Sequence, residues 1–235
     1  FDGSDSWLNT ARWSQGHTPT TLEDVVIPDY TTQFTVSIPS GAQVAKSIVV
    51  QGDDIFAING GSFTFGNAST ISSGTLNVAG GTVTANGNLT VKNVNLSAGT
   101  LTGAGTLTVN SSFSQTGGTQ TGTGTTTLGP SVTYTPGTGT LDRNLTAQGT
   151  VDQTSGTLTI NSGKTLTVDG TLNLVGGGTA IRGDGNVVVN GALNWSGDSD
   201  MSGLGTLTTS GTTTGTDPMY IGRNWVNSGT INVSA

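Results

Sequence analysis

The chain has 235 residues, of which 45 are threonine, 38 glycine, 23 serine and 18 asparagine, with 9% charged and a net charge of −7. Cysteine is absent, which excludes a disulfide framework, a thiolate metal site and a cysteine nucleophile. Glycine recurs too often for helices, where each would cost ~1 kcal/mol, and seven scattered lysines and arginines offer no footprint for nucleic acid or anionic lipid.

Leucine, isoleucine, valine and phenylalanine supply 53 residues, above the roughly one-fifth share below which chains stay unfolded. The chain therefore folds, and as an all-β protein. Its longest apolar runs, such as Val187-Val188-Val189, are far too short for a membrane-crossing helix.

In chain order, Phe1-Asp2-Gly3 opens without a basic, apolar leader, as expected of a processed or trimmed start. Residues 1–40 hold Trp7, Trp13, the single histidine (His17), the single glutamate (Glu23) and Pro19, Pro28 and Pro39. A solenoid end exposes unpaired strand edges, so this bulky segment is predicted to be an N-terminal cap. Residues 41–235 are predicted to be a coil stack, the whole forming one domain.

The stack is read from a repeat. Gly103-Ala-Gly105-Thr-Leu-Thr-Val109 returns as Gly122-Thr-Gly124-Thr-Thr-Thr-Leu128, Gly183-Asp-Gly185-Asn-Val-Val-Val189 and Gly203-Leu-Gly205-Thr-Leu-Thr-Thr209, with starts 19, 61 and 20 residues apart. Within the units apolar residues alternate, as in Leu107/Val109, Leu158/Ile160, Leu166/Val168 and Leu172/Leu174. Short period-two runs bounded by glycine or asparagine are strands with one buried face. Two or three of them per twenty residues describe one coil of a parallel β-solenoid, stable only when coils stack. An antiparallel sandwich also carries many short strands, but it does not require self-similarity at this period. No strict six-residue apolar repeat is present, so the right-handed form is expected. Leu107, Val109, Leu128, Leu166, Val168, Val187, Val189 and Leu207 should point inward. Thr106, Thr108, Thr165, Thr167 and Thr206 should point outward.

The repeats resemble those of bacterial extracellular β-solenoids: filamentous-haemagglutinin-like adhesins, autotransporter passengers and large repetitive surface proteins. The stretch Asn194-Trp-Ser-Gly-Asp-Ser-Asp-Met-Ser-Gly-Leu-Gly-Thr-Leu-Thr208 is similar to a recurrent unit of such proteins. Trp13-Ser-Gln-Gly16, Pro19 and Glu23-Asp-Val-Val-Ile-Pro28 resemble their first coil. This resemblance implies a solenoid at a bacterial cell surface or outside the cell, and transfers no catalytic residue.

Candidate chemistry is sparse. Asp53-Asp54, Asp198 with Asp200, and Asp184 beside Arg182 are the carboxylates a β-helix enzyme or a calcium site could use; aspartate at glycine-rich corners is also ordinary turn chemistry. No catalytic residue or cofactor is assigned, and Asp198 and Asp200 are weak calcium candidates. Arg182-Gly183-Asp184 falls in the ordinary Gly-x-Gly slot. Trp7, Trp13 and Trp195, with Tyr30, could form a sugar-stacking platform, although capping and packing explain the early aromatics more simply. Thr106/Thr108, Thr125/Thr127, Thr165/Thr167 and Thr206/Thr208 should stack as Thr-x-Thr rows of the kind ice-binding solenoids use.

The expected function is that of a non-enzymatic extracellular rod. The chain stops at Thr230–Ala235 in a strand pattern with no following cap, as if cut from a longer solenoid or covered by another molecule. Head-to-tail assembly would join Ile231 and Val233 to the first coils through Val25, Val26, Ile27, Val36 and Ile38. The alternatives are an adhesin or carbohydrate-binding module with surface glycans as partners, and ice binding. No nucleic acid and no membrane insertion are expected.

Overall fold

A computed structural model describes residues 4–30, 32–216 and 219–234. The starting Phe1-Asp2-Gly3 and the last residue, Ala235, lie outside the described residues. The chain winds about ten turns of a parallel β-solenoid with coils of about 20 residues. Strands lie on three faces. The first face begins with Asp24–Ile27 and Ser47–Val50, the second with Asp5–Ser6, Thr35–Ile38 and Ile55–Ile58, and the third with Ala42–Ala45 and Ser62–Phe65. Each strand pairs in parallel with its equivalent one coil away, as in Val25↔Ile48, Val36↔Phe56 and Gln43↔Phe63. Among the described residues the only helix is a single 3-10 turn, Thr10–Arg12.

Alternation in the sequence sets which side chains enter the core. On the first face one inward column runs Ile27, Val50, Ile71, Val91, Val109, Leu128, Ala147, Val168, Val189 and Thr209 in unbroken register. All ten are buried, and each large aliphatic among them contributes about 1.5–3 kcal/mol by leaving water. The eight residues expected inward are buried, and the five threonines expected outward are not. Ser69–Val78, Leu89–Leu96 and Leu107–Gln115 continue from the first face to the second, and the ladder slips between Val91 and Asn93 as they turn.

Close stacking at the corner between first and second faces requires glycine. Gly149, Gly170, Gly191, Gly211 and Gly229 lie one above another, and a β-carbon on Gly191 would stand 1.8 Å from the carbonyl oxygen of Gly170. No side chain fits there.

The stack begins earlier than residue 41. Asp24–Ile27 and Thr35–Ile38 already pair with the next coil, because Val25/Ile27 and Val36/Ile38 carry the same alternation as later strands. Pro28 and Pro39 follow those strands directly, where a missing N–H interrupts no ladder.

Candidate functional site

The tryptophans do not form a platform. Trp7 is 0% exposed, its ring centroid 5.0 Å from that of Phe63 and 4.6 Å from that of Trp13. Trp195 is 1% exposed and pairs across the coils with Gly215, whose bare α-carbon is covered by Met219. Leu193 and Trp195 share the inward phase of their strand, so the alternation that buries one buries the other. The expectation that Trp7, Trp13 and Trp195 jointly face a glycan is corrected: only Trp13 is partly exposed. Tyr30 is exposed but leans on Phe34, with centroids 5.8 Å apart.

The aspartates do not converge either. Asp54 turns inward, where its Oδ1 accepts the N–H of Phe34 at 3.0 Å, while Asp53 faces solvent. Asp200 accepts from Arg182 Nε at 2.8 Å and from the Ser202 hydroxyl at 2.9 Å, so the weak calcium pair Asp198 and Asp200 has one member engaged by a guanidinium. Asp184 accepts the backbone N–H of Leu204 at 3.0 Å. Both charges of the Arg-Gly-Asp tripeptide are thus committed within the fold. Among the described residues no three of His, Asp and Glu are placed to share a metal ion.

Of the residues expected to join rods, Val25, Ile27, Val36 and Ile38 are buried in the first coils, while Val26, Ile231 and Val233 are exposed. The first four cannot act as side-chain contacts, because they already fill the core beneath the next coil.

The Thr rows of the first face are interleaved with another device. Asn88, Asn144 and Asn186 occupy the same outward column as Thr106, Thr165 and Thr206, and each amide oxygen accepts the N–H of the threonine one coil on, at 3.0 Å. The asparagines supply an acceptor to the backbone of the next coil, so the column is not a uniform hydroxyl array.

Two features were hidden from sequence reasoning. The first is a polar knot inside the rod. Tyr134 Oη and Gln120 Nε2 both donate to Gln115 Oε1 at 2.7 Å, and the Thr126 hydroxyl donates to Gln120 Oε1 at 2.9 Å. All four side chains are buried. Burial pushes the Tyr134 hydroxyl pKa well above its usual value. Gly139 lacks the side chain that would collide with Gln115, since a β-carbon there would lie 2.5 Å from its Nε2.

The second feature explains the Gly-x-Gly units. They occur in pairs, and the coil after each pair carries an arginine that folds back over the bare corners. Arg143 Nη2 donates to the carbonyls of Gly105 and Thr125, both at 2.9 Å. Arg223 donates through Nη1 to Gly185 at 3.1 Å and through Nη2 to Ser202 at 2.6 Å and Gly183 at 3.2 Å. Burial pulls the Arg143 pKa down to about 10. The recoverable signal was an arginine one coil beyond the second glycine pair.

A cavity in the described surface brings chemically varied side chains together. It has a volume of about 130 Å³ and lies between the 13–19 segment and the first face. Trp13, Pro19 and Val26 supply its apolar lining; Ser14, Gln15, His17, Glu23 and Asp24 supply its polar groups. Trp13 is fixed by an Nε1–H donated to the Trp7 carbonyl at 2.8 Å and by its packing on Trp7. Glu23 Oε2 accepts the N–H of Thr20 at 2.7 Å, and Oε1 stands 3.5 Å from His17 Nε2. Hydrogen bonds from Thr20 hold the Glu23 carboxyl below its usual pKa. Hydrogen bonds from Lys46, at 2.7 Å, and Ser47 do the same for Asp24.

Stacked parallel coils around one continuous core define the molecule as a β-solenoid. The sequence matches no protein-family model, no curated protein and no solved structure.

Proposed function

We propose that the chain is a non-enzymatic structural protein of a bacterial cell surface or extracellular matrix, a stiff solenoid rod. The observation that carries this reading is the unbroken inward column from Ile27 to Thr209, in which each coil is held to the next by both core packing and backbone hydrogen bonds. About ten turns at ~4.8 Å each make a rod roughly 50 Å long. Its coils are taken as right-handed, the hand that parallel crossovers adopt, with the segment around Trp7 closing the core at the start. Scarce lysine and arginine leave trypsin-like proteases few points of attack, which suits life outside a cell.

In this reading rods add end to end. Among the described residues Asp24–Ile27 pairs only with Ser47–Val50 and Thr230–Val233 only with Thr212–Gly215, and the side chains of Ile231 and Val233 are exposed. Two different ends meeting make a heterologous contact, which generates open filaments unless the rotation closes a ring. Electron micrographs and light scattering across a concentration series test this. Rods that lengthen with concentration, and cease to when Ile231→Pro is introduced, are expected. Single rods of one length at every concentration would overturn assembly, and a globular outline would overturn the rod.

A further inference from the structure

We infer that the cavity beside Trp13 binds a single uncharged sugar ring, whether or not the rods assemble. The donor and acceptor inventory points this way. Ionised Glu23 and Asp24 only accept hydrogen bonds, whereas Gln15 and Ser14 both donate and accept. Sugar hydroxyls also do both, and the C–H face of a pyranose offers an apolar surface to an indole. An ammonium ion only donates, and would leave the Gln15 amide N–H groups idle.

Charge balance favours the same class. Asp24 is already paired with Lys46 at 2.7 Å, and Glu23 faces His17 at 3.5 Å. One of the cavity's two carboxylates is thus already neutralised by a lysine, and both keep lone pairs for hydroxyl donors. Its size, about 130 Å³, is well under the ~300 Å³ at which drug-sized pockets begin. That volume suits one sugar ring inside the cavity.

Preorganisation is the remaining support. The Trp13 indole is held by the Trp7 carbonyl, Glu23 by Thr20, and Asp24 by Lys46 and Ser47. All these anchors lie outside the cavity lining, so a ligand need not immobilise those three side chains itself. Val26, 53% exposed at the cavity's edge, offers apolar surface that a ring would cover.

The test is an NMR titration of the whole chain with the methyl glycosides of glucose, galactose, mannose, rhamnose and N-acetylglucosamine, with tetramethylammonium as the cationic comparison. At least one glycoside should give saturable shifts confined to the Trp13–Asp24 region, with a Kd on the order of 1 mM. The affinity should not change between low and high salt. Gln15→Ala, at an exposed position, should weaken binding roughly tenfold without lowering the melting temperature, and Glu23→Gln should weaken it similarly while giving up the charge-assisted bond to Thr20 and some melting temperature. Trp13→Phe, which keeps an aromatic on Trp7, should weaken it further. No saturable shift with any glycoside would overturn the inference. So would binding unaffected by all three substitutions, or saturation by tetramethylammonium that collapses as salt is raised.

Discussion

Arg143 lies across the bare α-carbon of Gly124 so closely that a β-carbon there would stand 2.6 Å from its Nη2. The glycine makes room and the arginine fills it, giving the carbonyls of Gly105 and Thr125 a side-chain donor. Arg143 reaches back 38 residues to Gly105, and Arg223 reaches back the same 38 to Gly185. A surface-type residue has been turned into an internal cross-tie, used twice.

Removing that tie should be costly. Arg143→Ala removes the guanidinium bonds to two carbonyls and leaves a void above Gly124, and is expected to destabilise by about 3 kcal/mol. Arg143→Met, which keeps volume but not donors, should lose less. Urea unfolding of both variants measures this. A loss under ~0.5 kcal/mol for the alanine variant, the range of ordinary surface changes, would show that the guanidinium contributes nothing.

Asp54 should give the rod an unusual pH response. Its Oδ2 is buried with no hydrogen-bond partner, and desolvation raises its pKa, with a smaller push from the Asp53 and Asp29 charges. Folding therefore strengthens proton binding at this site. Its stabilising contribution is full below the unfolded carboxyl's pKa of ~3.9 and is lost as pH rises through the folded value. Asp5, Glu23, Asp24 and Asp142, whose pKa values are lowered, slope the other way, so the informative quantity is a difference. Asp54→Asn keeps an acceptor for Phe34 and cannot ionise. Relative to the native chain it should gain stability between acidic and neutral pH. Parallel stability curves for the two proteins would contradict this.

Phase within a strand is tested by neighbours. Leu166 is fully buried and Thr167 is only partly so. Leu166→Asp places an unpaired charge in the core and should cost several kcal/mol, on the order of 4. Thr167→Asp should stay within about 0.5 kcal/mol. Thermal melts distinguish them, and equal losses would mean the strand is turned the other way.

Much of this fold was readable because leucine and valine alternate with threonine, and threonine outside against leucine inside is a strong contrast. Where the contrast fails, so does the reading. Thr125-Thr126-Thr127 offers no polarity difference, yet Thr126 is buried under the register set by Leu107 and Leu145. Gln115, Gln120 and Gln153 are inward for the same reason: their places in the strand are fixed by neighbours, and their amides find partners only once coils are stacked. The cavity was less legible still. Trp13 stands out in the sequence as an aromatic, but its meeting with Gln15 and Asp24 depends on a loop folding back on the first face, which no period reveals.

The two glycine environments predict opposite outcomes for one substitution. Gly191→Ala forces a β-carbon against the Gly170 carbonyl and should destabilise by several kcal/mol, on the order of 3. Gly177 has nothing within 4 Å of where a β-carbon would sit. Gly177→Ala should be neutral or stabilise by about 0.4–1 kcal/mol through the unfolded chain. Denaturant midpoints measure both, and a Gly191→Ala protein as stable as the native one would show that the corner can relax.

The column from Gly149 to Gly229 also constrains how such a chain can diversify. Along that ridge no side chain can be displayed, so drift there is purged whichever residue appears. The turn holding Gly176, Gly177 and Gly178, between the second and third faces, is roomy by comparison. Extra residues arriving there would bulge outward without disturbing the rungs on either side. Novelty in this molecule is directional: one corner is frozen by its own backbone, and inserted loops, grafted epitopes or acquired recognition segments have their natural home at the next corner, across the second face.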